Sequence, residues 1–162
     1  FVNSKIFQIN KKPNIQGEPG LPKISTETAI VTKLGIQDDY NNFRSNKKGN
    51  DPKMALMLLS YDIISQLNEE GWPVKSGDLG ENIMIEGIHY SDFAPKNQYK
   101  IGNVEIEISF VCDPCMTLQN LPYIGKKNIN SFIKALMGRR GWYAKVLKAG
   151  IIQKGDPLTI IS

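Results

Sequence analysis

A chain of 162 residues with 41% hydrophobic and 22% charged content has the make-up of one ordinary globular domain, 1–162, large enough to bury a sizeable core. The formal charge of +4 comes from scattered lysines and short pairs (Lys11–Lys12, Lys47–Lys48, Lys126–Lys127, Arg139–Arg140) rather than a basic stripe interleaved with aromatics, so no nucleic-acid partner is expected. No apolar run approaches a bilayer span, so no membrane segment is expected, and two cysteines make no disulfide framework, which points to a reducing, cytoplasmic compartment.

Ser4–Ile9 reads as a strand and GEPGLPK (Gly17–Lys23) as a turn-rich loop. Glu27–Leu34 alternates and carries β-branched residues, the pattern of a second strand. Asp38–Asn50 is polar and reads as a long surface loop, and Lys53–Leu59 is short enough to favour strand over buried helix. Ser60 stands as the N-cap of a helix through Glu70, with Ile63, Ile64 and Leu67 on one face and Gly71 past its end. Ile83–Ile85 is a short strand. Tyr99–Ile101 and Val104–Val111 form a hairpin around Gly102–Asn103, with Val104, Ile106, Ile108 and Phe110 facing the core. A second helix runs from about Asn130 to Met137, turns Phe132, Ile133 and Leu136 inward and stops at Gly138. Gly141–Leu147, Ile151–Gln153 and Leu158–Ile161 complete the chain as strands. Many short strands and two short helices predict a mainly β fold: a closed or nearly closed β-barrel with a few short helices.

Both cysteines lie in SFVCDPCMTLQN. Cys112 continues the apolar phase of the preceding strand and reads as a small buried hydrophobe. Asp113 and Pro114 break the strand, since proline has no N–H for the ladder, so Cys115 emerges on a turn and is presented. A zinc site needs about four ligands, whereas His89 is the only histidine and no second CxxC exists, so zinc is not expected. A thioredoxin-like pair would open a helix after a strand in a βαβ setting that is not readable here, which makes it the weaker reading. A Cys–His hydrolase is weaker still, for want of an acidic orienter for His89.

GDLGENIMIEGI (Gly77–Ile88), the strand leading to Pro114–Cys115, RRGWYAKVLKAG (Arg139–Gly150) and KGDPLTI (Lys154–Ile160) occur in this order and together closely resemble the MOSC domain, named for the C-terminal domain of molybdenum cofactor sulfurases. GEPGLPK, GIQDDYNNFR (Gly35–Arg44) and DPKMALMLLS (Asp51–Ser60) are similar to small stand-alone bacterial members. The resemblance implies a β-rich barrel and a single functional cysteine, here Cys115, that carries sulfur or ligates the molybdenum of the pterin cofactor, molybdopterin. It implies reduction of N-hydroxylated compounds or sulfuration of metal centres, with an anionic pterin and a sulfur-donor or reductase protein as partners. Pyridoxal phosphate is not expected, because it belongs to sulfurases with a separate N-terminal desulfurase domain. The chain departs from the family where Asp38-Asp39-Tyr40-Asn41 replaces a Gly-Asp followed by histidine, and where Lys145 stands in place of a common arginine.

Sulfur transfer and molybdenum ligation both need a thiolate, so Cys115 needs positive charge nearby. Arg139 and Arg140 are the candidates, and an arginine fork also suits a pterin phosphate; two arginines facing water after a helix end is the competing reading. In Gly77–Asn82 the glycines permit close backbone approach, with Gly80, Glu81 and Asn82 as cofactor-binding candidates; a tight turn into the next strand would need the same residues. Whether Cys115 belongs to a catalyst, to a carrier, or to a non-catalytic cofactor- or partner-binding module with structural cysteines stays open at this point.

Overall fold

The structure, a computed structural model, describes residues 3–40 and 48–162. The expectations that fall on Asn41, Arg44 and Lys47, and most of the loop expected over Asp38–Asn50, lie outside the described residues. The strands are β1 (Lys5–Lys11), β2 (Ile24–Thr26), β3 (Thr28–Thr32), β4 (Gly35–Ile36), β5 (Leu56–Ser60), β6 (Ile83–Glu86), β7 (Gln98–Ile101), β8 (Val104–Val111), β9 (Trp142–Lys148), β10 (Gly150–Gln153) and β11 (Leu158–Ile160). The helices are α1 (Tyr61–Glu69) and α2 (Gly125–Leu136), with short 3₁₀ turns at Pro52–Met54, Tyr90–Asp92 and Met116–Asn120. None of the helices is long and apolar enough to cross a membrane among the described residues.

Eight strands hydrogen-bond in the order β11-β7-β8-β9-β5-β6-β1-β2, and β10-β3-β4 form a separate small sheet. The fold is therefore mainly β with two helices, as expected. The eight-stranded sheet is not closed into a barrel. Backbone bonds from Leu158 to Ser4 and from Ile6 to Asp156, each 2.9 Å, bring the start of β1 to the turn before β11 without completing a ladder between the strands.

β5 explains itself through burial on both faces. All five of its residues are buried, and it runs parallel to β6 and antiparallel to β9. A strand covered on both faces reads as a continuous apolar run, which is why alternation is absent there. α1 makes the crossover between the parallel pair β5 and β6. Leu56 and Leu58 join one core with Ile83, Ile106, Ile108 and, from the small sheet, Ala29, Val31 and Ile152. Leu59 and Met84 join a second core with Ile63, Ile64 and Leu67 of α1 and Ile129, Phe132 and Leu136 of α2. Each helix thus buries one apolar stripe at helical spacing.

Four expectations are corrected. The strand expected over Glu27–Leu34 is β3, which ends at Thr32 and pairs with β10, while β2, just before it and paired with β1, was not expected. Lys53 and Met54 lie in a 3₁₀ turn before β5. α2 begins at Gly125, five residues ahead of the expected start, because Lys126–Asn128 give no apolar signal. Phe110 is 41% exposed and does not face the core of Val104, Ile106 and Ile108. Ile108 pairs with Ala144 and Val111 with Trp142, so β8 carries one extra residue there. This β-bulge reverses the phase of the residues beyond it. Phe110 lies edge-on to Tyr143 at 5.4 Å, and Cys112 is buried with Met54, Met57 and Tyr143 rather than with Ile108.

Ile106→Ala should lower the unfolding free energy by about 2–5 kcal/mol, the range for large core truncations. Phe110→Ala should cost less, about 1 kcal/mol, because its side chain is already partly in water. Denaturant unfolding of the two variants measures the difference, and equal losses would place Phe110 in the core.

Candidate functional site

Cys115 comes after the break at Asp113–Pro114 and opens the turn Met116–Asn120 in extended conformation, φ −140° and ψ 169°. Its sulfur is part-buried, 2.8 Å from the Thr117 hydroxyl. The Nη1 of Arg140 donates to the same sulfur at 3.3 Å. Arg140 arrives from the other direction, between the end of α2 and the start of β9, and the last β8–β9 contacts draw the two segments together: the Cys112 N–H donates to the Gly141 carbonyl at 2.8 Å.

Arg140 is only 7% exposed. Its Nε donates to the Leu79 carbonyl at 3.2 Å and its Nη1 to the Asp113 carbonyl at 3.0 Å, besides the sulfur. No carboxylate among the described residues forms an ion pair with it. Gly80 lies over this guanidinium with φ +86°, and a β-carbon there would sit 3.0 Å from Leu21 Cδ2 and 3.7 Å from Arg140 Nη2. Glycine is required by both the backbone conformation and the close packing.

These contacts separate the two thiols. Burial opposes ionisation of Cys115, but the Arg140 charge and the hydrogen bonds from Thr117 and Arg140 outweigh it and hold the thiol below its usual range. Burial pushes the Cys112 thiol up despite the same arginine. For Arg140, desolvation is more than offset by its interactions with the two cysteines, which keep it protonated.

The other expected site residues go elsewhere. Arg139 donates through Nη1 to Glu70 Oε2 at 2.8 Å and through Nε to the Ala135 carbonyl at 2.8 Å, away from Cys115. The Glu70 carboxyl is held below its usual range by that hydrogen bond. Asn82 accepts from the Met57 N–H at 3.1 Å and donates to Asp39 Oδ2 at 2.9 Å and to the Asn10 carbonyl at 3.3 Å, tying β1 to β5. Asp39 in turn holds the buried Lys23 ammonium at 2.6 Å. Glu81 is fully buried; its Oε2 accepts from the Gly77 N–H at 2.8 Å and the Ser76 hydroxyl at 3.1 Å, while Oε1 has no hydrogen-bond partner. Burial, against those hydrogen bonds, pushes its carboxyl up to about 7.

Sequence reasoning misses Thr117, for which a hydroxyl two residues past the cysteine is the available signal. Two clefts, of about 810 Å³ beside Ile30, Leu34 and Ile151 and about 540 Å³ beside Gln8, Tyr61 and Lys75, do not include Cys115 in their linings.

A family model described as the MOSC domain matches residues 36–159. Solved structures with a similar fold include YiiM from Geobacillus stearothermophilus, 24% identical, with a TM-score of 0.74 over 98% of this chain and 75% of that chain. YiiM from Escherichia coli is 18% identical, with a TM-score of 0.67 over 98% of this chain and 70% of that chain. The YuaD protein from Bacillus subtilis is 14% identical, with a TM-score of 0.77 over 96% of this chain and 93% of that chain. No curated protein matches the chain.

The raised Glu81 carboxyl makes stability depend on pH. Its folded form favours the proton, so its contribution is complete below 4.5 and is lost as pH rises through about 7. Wild-type protein should lose on the order of 3 kcal/mol across that window, while Glu81→Gln should flatten the loss. Chemical denaturation at a series of pH values reads it; parallel curves for the two proteins would contradict the assignment.

Proposed function

The chain belongs to the MOSC domain family, and on that premise we propose that Cys115, as a thiolate held by Arg140, is the protein's ligand to the molybdenum of a bound pterin cofactor. The observation that carries this reading is the buried guanidinium, without a carboxylate partner among the described residues and bonded to the Cys115 sulfur at 3.3 Å. A buried cation needs a countercharge, and the nearest group able to supply one is the thiol. Among the described residues no group of three or more His, Cys, Asp or Glu could hold a metal, so a metal at Cys115 would bring its remaining ligands with it, as a cofactor-borne metal does.

The residues present fit such a group in two respects. Cys115 offers a thiolate at a strand end, and Arg140 offers a fixed positive field. Glu81, Asn82 and Arg139 are engaged in the fold, and hold no cofactor in this reading. When bound, the molybdenum centre would supply two-electron redox chemistry. Reduction of an N-hydroxylated compound consumes two electrons and two protons and releases water, so a reductase protein is the partner this reading requires. A reducing cytoplasm would keep Cys115 free for ligation. A sulfur carrier would use the same thiolate, but a sulfur part-buried against Arg140 is less open to a second protein than a carrier needs.

Mass mapping of native alkylated protein should find Cys115 labelled before Cys112. Arg140→Gln should raise the pH midpoint of Cys115 labelling by about one unit, a tenfold loss of thiolate at neutral pH. The same variant should lose molybdenum and pterin on purification from a cofactor-competent host, while Arg139→Gln should behave as wild type in both assays. Unchanged labelling and unchanged metal content in Arg140→Gln would refute the proposal.

A further inference from the structure

Tyr90 is remote in sequence from both Cys115 and Arg140, yet its hydroxyl makes two hydrogen bonds to one residue beside Arg140. It donates to the Gly141 carbonyl at 3.0 Å and accepts from the Gly141 N–H at 3.1 Å. The N–H belongs to the peptide joining Arg140 to Gly141, and the carbonyl to the peptide joining Gly141 to Trp142. One phenol therefore spans two successive peptide planes and fixes the torsions between them. Gly141 has φ +153°, and a β-carbon there would lie 3.0 Å from the Leu58 carbonyl oxygen and 3.0 Å from Met57 Cε. The position must be glycine, and a glycine hinge carries no side chain to restrain it.

We propose that Tyr90 is a positioning residue: its hydroxyl locks the Gly141 hinge and thereby holds the Arg140 guanidinium on the Cys115 sulfur. This inference rests on the proposed pairing of Cys115 with Arg140 and extends it to a third residue through the Tyr90–Gly141 hydrogen bonds and the 3.3 Å contact of Arg140 with the Cys115 sulfur. Tyr90 is itself well anchored. Its N–H donates to Asp62 Oδ2 of α1 at 3.0 Å, and its ring lies 5.9 Å from that of Trp142. Burial keeps the phenol protonated, the form that both donates and accepts. The Gly141 carbonyl keeps a second donor, the Cys112 N–H, but the only bond described for the Gly141 N–H goes to Tyr90. Removing the hydroxyl would leave a buried donor unpaired at the hinge, and the backbone would move to satisfy it. A guanidinium that approaches the sulfur at 3.3 Å weakens its hold as that distance grows.

The test titrates Cys115 by alkylation against pH, read by mass at the Cys115 peptide, in full-length wild type, Tyr90→Phe and Ile106→Val. Ile106→Val serves as a core truncation remote from the hinge. In Tyr90→Phe the midpoint should rise by about half a unit to one unit, roughly a three- to tenfold loss of thiolate at neutral pH, while Ile106→Val stays at the wild-type midpoint. A wild-type midpoint in folded Tyr90→Phe overturns the inference and leaves the thiolate reading intact. An equal rise in Ile106→Val overturns it too, because general loosening would then suffice. A wild-type protein that already titrates like a free thiol overturns both. Should Tyr90→Phe not fold, 3,5-difluorotyrosine placed at position 90 alters the hydrogen-bond strength and keeps the phenol. It must move the same midpoint, and an unmoved midpoint counts against the inference.

Discussion

A guanidinium taken out of water carries an effective penalty of several kcal/mol unless neighbouring groups compensate it. Arg140, 7% exposed, is such a group, and its neighbours are two backbone carbonyls and a sulfur. The carbonyl of Leu79 fixes where the Gly77–Asn82 loop must pass, and the carbonyl of Asp113 fixes the turn after β8. The remaining requirement is negative charge, and among the described residues hydrogen-bonded to the guanidinium the thiol at Cys115 is the group able to provide it. A carboxylate at that place would have neutralised the arginine permanently. A thiol neutralises it conditionally and remains a nucleophile and a soft metal ligand in doing so.

Two adjacent arginines illustrate how strongly context decides the outcome. Arg139 finds a carboxylate, Glu70, on the exposed side of α1 and α2, and contributes little beyond a surface ion pair. Arg140, one residue further on, turns inward to Leu79 and Cys115. The same division separates the cysteines. Cys112 is packed among Met54, Met57 and Tyr143, where burial holds it protonated, whereas Cys115 meets Thr117 and Arg140 at the edge of that cluster. A single field thus lowers one thiol, while burial keeps its neighbour three positions away raised.

Much of this was legible in the amino-acid sequence because it depends on local chemistry. Proline after Asp113 removes a ladder donor wherever it occurs, so the presentation of Cys115 could be read directly. The stripe Ile63, Ile64 and Leu67 marked α1, and Gly102–Asn103 marked the hairpin. What could not be read depends on partners distant in the chain. The bulge that turns Phe110 outward exists in the pairing of β8 with β9 and leaves the alternation of β8 itself unbroken. The open sheet comes from register between β1 and the turn before β11, which strand counting does not reveal. Asn82 and Glu81 looked like ligand-facing polar groups, but they accept hydrogen bonds from Met57, Ser76 and Gly77, and Asn82 donates one to Asp39. The choice between Arg139 and Arg140 required knowing that Glu70 lies beside the first and Leu79 beside the second.

Everything at the site turns on Cys115 being the countercharge of Arg140 in the folded protein. Thiolate absorbance in the ultraviolet, followed against pH in cofactor-free protein, measures that charge directly. Wild-type protein should gain the absorbance of one thiolate below the ordinary thiol range of about 8.5, Cys112→Ser should retain it, and Cys115→Ser should lose it. An absorbance that rises only at or above that range, or that survives in Cys115→Ser, would contradict the assignment.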